Sequence, residues 1–400
     1  MIPVPTALDE QAVAAMAAGR LARLRATMVD DSIDLLVLHN PVSLRYAVEY
    51  RGYNTFQAHI PTAYLLLPVE GPVVMHGAYA VDVALVDEAR PANAVTGFDS
   101  GLDQADVARR FAADVVAVLD EVGLGTGARV GVERLLPTAH HALTDAGIHA
   151  VDAEGTIELA RSCKSDLEMV ALGHAIDVAE HGMAVMEAAL VPGMTENGLW
   201  SLIHQVNVAH DGDWFDGRML CSGPRTNPWY QEAGPRIIEG GDLVAFDTDM
   251  IGPFGYCADI SRTFLCRGID GPGWPTDAQR RLYDMARHEV EHNTALLRVG
   301  ASFRELSAAT WRQPDDVLVN RYACAFHGVG MSDEYPKIPY PDDWERCGYD
   351  GEVTDGLVLS VESYVGPDGG AEGVKLEQMV QVIADGVVPL STYPLWDEEA

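Results

Sequence analysis

The stretch FDTDMIGPFGYCADISRTF, residues 246–264, constrains this chain more than any other. It reads as two β-strands about a Gly-Pro-Phe-Gly turn, yet it carries Asp247, Asp249 and Asp259. Aspartate is a poor strand former, and like charges opposed across strands destabilise them. A turn centred on Pro253 sets Asp247 directly opposite Asp259 in an antiparallel pair. Asp249, two residues along, shares that face. A fold with this hairpin must let the acids share a proton or hold a cation among them.

A second hairpin repeats the design. In ESYVGPDGGAEGVKLEQ (362–378), a turn at Gly369-Gly370 sets Glu362 opposite Glu377. Facing carboxylates about 5 Å apart are not stable alone. AFHGVG (325–330) adds His327, followed by glycines that let backbone pass close to a site. One imidazole with several carboxylates suits a divalent transition metal, or two that share bridging carboxylates. The bland alternative puts each acid on a solvated outer face. It must then absorb two coincidences of register and a Gly-flanked histidine.

Four hundred residues exceed what one core usually serves. The chain divides near residue 155, giving domains 1–155 and 156–400 of mixed α+β class. In the first, 9–29 and 105–123 read as helices, IDLLVLHN (33–40) and ARVGVE (128–133) as strands, and 62–77 as strand, turn, strand. The second opens on KSDLEM, where Ser165 and Glu168 form a capping box for a helix reaching VPG at 191–193. Thr276 with Gln279 starts a helix ending near Gly300, and Ser302 with Glu305 starts a third.

Sixty acidic against 27 basic residues give a net charge of −33. That charge opposes nucleic acid and anionic lipid as partners. No apolar run approaches the roughly 18 residues of a membrane span. The N-terminus lacks a basic start and an apolar core, so no signal peptide is expected. Six scattered cysteines without a C-x-x-C pair suit reduced thiols in a cytoplasmic protein.

On these residues the chain resembles the pita-bread superfamily of aminopeptidase P, prolidase, methionine aminopeptidase and creatinase. The order Asp, eleven residues, Asp, then His-Gly, Glu and Glu is similar to its dinuclear metal signature. The resemblance implies a creatinase-like N-terminal domain, a C-terminal pita-bread fold, and ligands at Asp247, Asp259, His327, Glu362 and Glu377. Three departures separate the chain from the peptidases. Asp247-Thr248-Asp249 stands where they usually carry Asp-x-Gly. RYACAF offers Tyr322 where they carry a second histidine, and CSGPRTNPWYQE (221–232) offers Trp229 and Tyr230 in place of another.

With SGPRTNPW, VAFDTDMIGPFG and LSTYPLWD, these departures resemble the dimethylsulfoniopropionate (DMSP) lyase subgroup, of DddP type. That resemblance implies a sixth ligand at Asp249 and catalytic residues at Tyr322 and Asp333. It implies a small-molecule substrate bound among Trp229, Tyr230, Arg225 and Asn227. The expected cofactors are two divalent transition-metal ions, iron first, with zinc, manganese or cobalt as alternatives, in a homodimer. The competing activity on the same fold is an Xaa-Pro dipeptidase. Elsewhere, DGDWFDG (211–217) fails as a calcium loop because Phe215 takes a ligand position. Arg262 is expected to pair with an acid, and His140-His141 to lie on a solvated face.

Overall fold

The computed structural model describes residues 7–77, 83–268 and 273–396. The first residues of the N-terminus and Asp397 of LSTYPLWD lie outside them. The chain forms two compact units, one from Leu8 to Arg161 and one from Ser162 onward.

In the first unit, the helix Glu10–Asp30 starts where the Asp9 side chain accepts from the Ala12 N–H at 2.8 Å. A six-stranded mixed sheet follows. Its central strand, Leu35–Leu38, pairs antiparallel with Tyr64–Pro68 and parallel with Arg129–Val132. Leu35–Leu38 is buried throughout, which explains why it is apolar without alternation. The helix Ala105–Glu121 packs Phe111, Val115, Val118 and Leu119 onto this sheet. His140 and His141 are exposed, as expected.

In the second unit all three capping boxes form, ahead of helices Asp166–Ala189, Asp277–Leu296 and Phe303–Ala309. A five-stranded antiparallel sheet runs Asp333–Ile338, Phe326–Val329, Leu357–Val365, Val374–Ile383, Gly386–Pro389. Strand alternation gives it two different faces. Val361, Val365, Val374 and Leu376 join the core formed with Tyr283, Ala286 and Val290 of helix Asp277–Leu296. Glu362, Lys375 and Glu377 therefore point the other way. Two three-stranded sheets face that side. One is Ser261–Leu265, Leu243–Asp247, Leu220–Ser222; the other is Cys257–Ala258, Met250–Ile251, Trp214–Phe215. Thr263 locks the first of them to the large sheet: its Oγ1 donates to the Lys375 carbonyl at 2.9 Å and accepts from the Lys375 N–H at 3.0 Å.

The second hairpin has the expected register, with Glu362 opposite Glu377. The first does not. Asp247 pairs with Ser261, and Met250 with Ala258. The turn is centred on Phe254 rather than Pro253, with Phe254 at φ 62 and Gly252 N–H bonded to the Tyr256 carbonyl at 2.9 Å. Moving the turn centre by one residue shifts every partner by two. Facing is thereby preserved, because side chains alternate with period two. Between its two short ladders this hairpin bends at Asp249, φ 36. Thr248 fills the break, donating to the Ala258 carbonyl at 2.7 Å and accepting from the Ile260 N–H at 2.9 Å. Arg262 corrects another expectation. Its guanidinium binds the carbonyls of Ser261, Glu377 and Tyr393 rather than a carboxylate, and so braces the two hairpins.

Candidate metal centre

The bend and the hairpin register bring six ligand-type side chains together. Asp259, His327, Glu362 and Glu377 each offer an atom within 4.8 Å of the others, and so do Asp247, Asp249 and Asp259. Asp259 belongs to both groups, as a bridging ligand would. His327 Nε2 lies 3.1 Å from Glu362 Oε1, 3.4 Å from Asp259 Oδ2 and 4.0 Å from Glu377 Oε1. Its Nδ1 faces the Gly328 carbonyl at 3.1 Å. A proton on Nδ1 leaves the Nε2 lone pair facing the acids, the tautomer that a metal ligand requires.

The acids are buried: Asp247 is 3% exposed, and Asp259, Glu362 and Glu377 are 1% exposed. Burial, then Glu362, pushes the Glu377 carboxyl up to about 8. Burial and the neighbouring acids also raise Asp259 and Asp249 well above the carboxylate range. For His327 burial works against charge, but Asp333 and Glu362 outweigh it and hold the imidazole well above its usual value. Such mutual perturbation marks a site built for a cation. The fit goes further. Asp247 Oδ1, Asp259 Oδ1 and Glu377 Oε1 are buried without a hydrogen-bond partner among the described residues. Orphaned buried carboxylate oxygens are costly, and divalent ions are the partners that satisfy them. The six side chains thus fit a metal centre.

Two further groups touch the cluster. Ser261 Oγ donates to Glu377 Oε2 at 2.8 Å, and Ser360 Oγ to Asp259 Oδ2 at 3.1 Å. Lys375, absent from the residues expected above, is fully buried with Nζ 2.5 Å from Glu362 Oε2 and 3.1 Å from Asp247 Oδ2. A signal for it existed. Lys375 lies two residues before Glu377 in an apolar strand, so alternation alone aims it at the acids.

The remaining expected residues divide. Asp333 Oδ1 lies 3.8 Å from His327 Nδ1 with its side chain 64% exposed, so solvent reaches it beside the cluster. Burial by the surrounding protein nevertheless raises its carboxyl, against the pull of His327. Tyr322 stacks on Tyr230 with centroids 5.4 Å apart, packs against the cluster of Trp229 and Tyr364, and lies 4.5 Å from the Lys375 ammonium. Tyr230 is 57% exposed. Trp229 is buried against Tyr364, making a wall behind the site rather than a binding face. Arg225 and Asn227 are turned to other work. Arg225 pairs with Glu196 and donates to the Glu232 carbonyl. Asn227 clamps the second hairpin's loop through Pro367 and Gly370, at 2.8 and 2.9 Å. Both side chains hold the loop around them, the alternative to binding a substrate carboxylate. The glycines after His327 also differ from expectation. A Cβ on Gly328 would meet the Tyr335 carbonyl at 2.3 Å, so the close approach is to the neighbouring strand.

Comparison with known proteins agrees with this architecture. Residues 171–384 match metallopeptidase family M24, and 20–163 match the creatinase/prolidase N-terminal domain. Two curated relatives are named dimethylsulfoniopropionate lyase DddP. The chain is 34% identical to that of Roseovarius nubinhibens, over 98% of this chain and 91% of the relative. It is also 34% identical to that of Roseobacter denitrificans, over 97% and 88%. Among solved structures, the Xaa-Pro dipeptidase from Bacillus anthracis superposes with a TM-score of 0.74 at 20% identity, covering 95% of this chain and 99% of that one. The X-Pro aminopeptidase from Thermotoga maritima gives 0.73 at 18% identity, covering 93% and 97%. These structures share the creatinase-like N-terminal domain and pita-bread fold. The chain belongs to metallopeptidase family M24.

Proposed function

We propose that this protein is a metal-dependent C–S lyase that cleaves DMSP to dimethyl sulfide and acrylate. The observation that carries the proposal is the near full-length identity to two proteins named DMSP lyase, joined to a site in which Asp333 stands beside the metal cluster. The cofactors are two divalent transition-metal ions, iron first, held by Asp247, Asp249, Asp259, His327, Glu362 and Glu377. When bound, they supply positive charge against the negative charge that builds on the substrate carboxylate as its α-proton leaves.

The chain's own groups do the rest. Asp333 takes the α-proton. The electron pair forms the carbon–carbon double bond, and the C–S bond breaks with its electrons on sulfur. Asp333 suits a base because its conjugate acid is raised yet remains a carboxyl. Tyr322 does not: burial and Glu362 raise its phenol well above the usual range, so it keeps its proton and acts as a donor. The open face of Tyr230, backed by Tyr322, offers π density to the sulfonium.

The test is headspace dimethyl sulfide after adding DMSP, with and without a chelator. Gas that the chelator abolishes is the expected result. No gas in either tube, with hydrolysis of Ala-Pro instead, assigns the protein to the dipeptidase activity of its structural neighbours.

A further inference from the structure

Lys375 is the residue of the metal centre that metal binding does not explain. A divalent ion held by these carboxylates is repelled by an ammonium beside them. Yet the lysine is built in. It is fully buried, and its Nζ lies 2.5 Å from Glu362 Oε2, 3.1 Å from Asp247 Oδ2 and 3.4 Å from Glu377 Oε2. Ser261 Oγ is 2.6 Å away, and the Tyr322 ring closes the remaining side at 4.5 Å. Its strand is locked across the sheets by both Thr263 bonds to the Lys375 backbone. The side chain cannot leave without breaking several contacts, so the amine stays among the acids whether or not metal is bound.

Charge balance gives this placement a purpose. Asp247, Asp249, Asp259, Glu362 and Glu377 are five carboxylates, and His327 is neutral as a ligand. With the one ammonium, these ligand groups carry four negative charges, the number that two divalent ions neutralise; Asp333, on the solvent side, lies outside this count. A surplus charge in a mostly buried site is expensive, because water screens it poorly there. Lys375 contacts Asp247, Glu362 and Glu377 but not Asp249, which lies at the bend. The lysine thus balances a carboxylate that it does not touch.

We propose that Lys375 is a fixed counter-charge that sets the centre for two divalent ions, its ammonium offsetting the fifth carboxylate, Asp249. This rests on the metal-centre reading above and assigns a role within it. The role predicts effects of opposite sign that cancel. Purified protein is stripped, reloaded with Mn²⁺, counted for metal by atomic emission, and titrated against a competing chelator. Lys375→Met is expected to bind Mn²⁺ about ten- to a hundredfold more tightly than wild type, and Asp249→Asn to bind it more weakly by a similar factor. The double variant is expected to fall between them, within a few fold of wild type. Lys375→Arg, which keeps the charge, is expected to match wild type. Should Lys375→Met not fold, Lys375→Gln removes the charge while keeping a donor, and must show the same gain. Weaker binding in both charge-removing lysine variants, or a double variant weaker than Asp249→Asn alone, overturns the counter-charge role while wild type still holds two ions. Wild type that holds no metal overturns the metal centre itself.

Discussion

The two acid-bearing hairpins look alike in sequence and differ in build. The second is one continuous ladder, with Leu357–Val365 paired residue for residue against the first nine residues of Val374–Ile383. Its back is sealed by helix Asp277–Leu296. The first is two short ladders split at Thr248 and Asp249. A straight strand can place two ligands on one face only at the spacing of alternate residues. The bent one brings Asp247, Asp249 and Asp259 within reach of one ion. Continuity holds a pair of ligands rigidly, while a break re-aims side chains toward a common centre. The centre uses both devices.

The largest test of this division lies in the shared ligand. Asp259→Asn should remove both ions and cut activity by at least about a thousandfold, as Glu362→Gln in the rigid hairpin should. Asp249→Asn, at the bend, should weaken metal binding about ten- to a hundredfold and still hold ions when metal is in excess. Equal metal loss in all three would erase the distinction between the hairpins. Next is Asp333→Asn, attached to neither hairpin. Activity should fall by about a hundredfold or more with metal content unchanged. A fully active variant removes the base.

Smaller effects probe the frameworks. Ser261→Ala removes one hydrogen-bond partner from each of buried Glu377 and Lys375, which keep their mutual ion pair, and should cost about 1 kcal/mol by thermal melting. An unchanged melting temperature would argue that Ser261, and with it the observed register, is not where the hairpins join. Behind the rigid hairpin, Glu289 accepts from Ser363 at 2.6 Å, and burial raises its carboxyl to about 7. A raised acid favours the folded state while protonated. That contribution is full below about 4.5, its unperturbed value, and lost as pH rises through about 7. Wild type should therefore lose melting temperature relative to Glu289→Gln between pH 5 and 8; parallel curves would contradict this. Smallest is Gly369→Ala in the second hairpin's loop. Its φ of 63 with open space around the position predicts a cost of about 1 kcal/mol, from strain alone. No loss would mean that the loop adapts and does not fix the ladder.

Much of this was legible beforehand because it is local. Each capping box is a relation across three residues, and all three form. The Glu362–Glu377 pairing was readable because the strands flanking Gly369-Gly370 run without interruption. The first hairpin's register was misread because its turn depends on Phe254 adopting a positive φ, which sequence disfavours. Arg262 was misjudged, and the loop-fixing contacts of Arg225 and Asn227 were not legible, for one reason. A cationic or amide side chain in a sequence suggests a ligand or an acid partner, but here backbone carbonyls and Glu196 lie nearer.

The sequence by itself determined the ligand types, their order and the face each occupies. Residue chemistry and strand alternation are properties of the chain, and they survive a shift of two in register. Only the tertiary structure decided that the two hairpins meet, that Asp249 bends toward Asp259, and that Lys375 is enclosed by their acids. The meeting of the hairpins depends on packing between segments more than a hundred residues apart, and the bend on a positive φ at Asp249, where no local rule reaches.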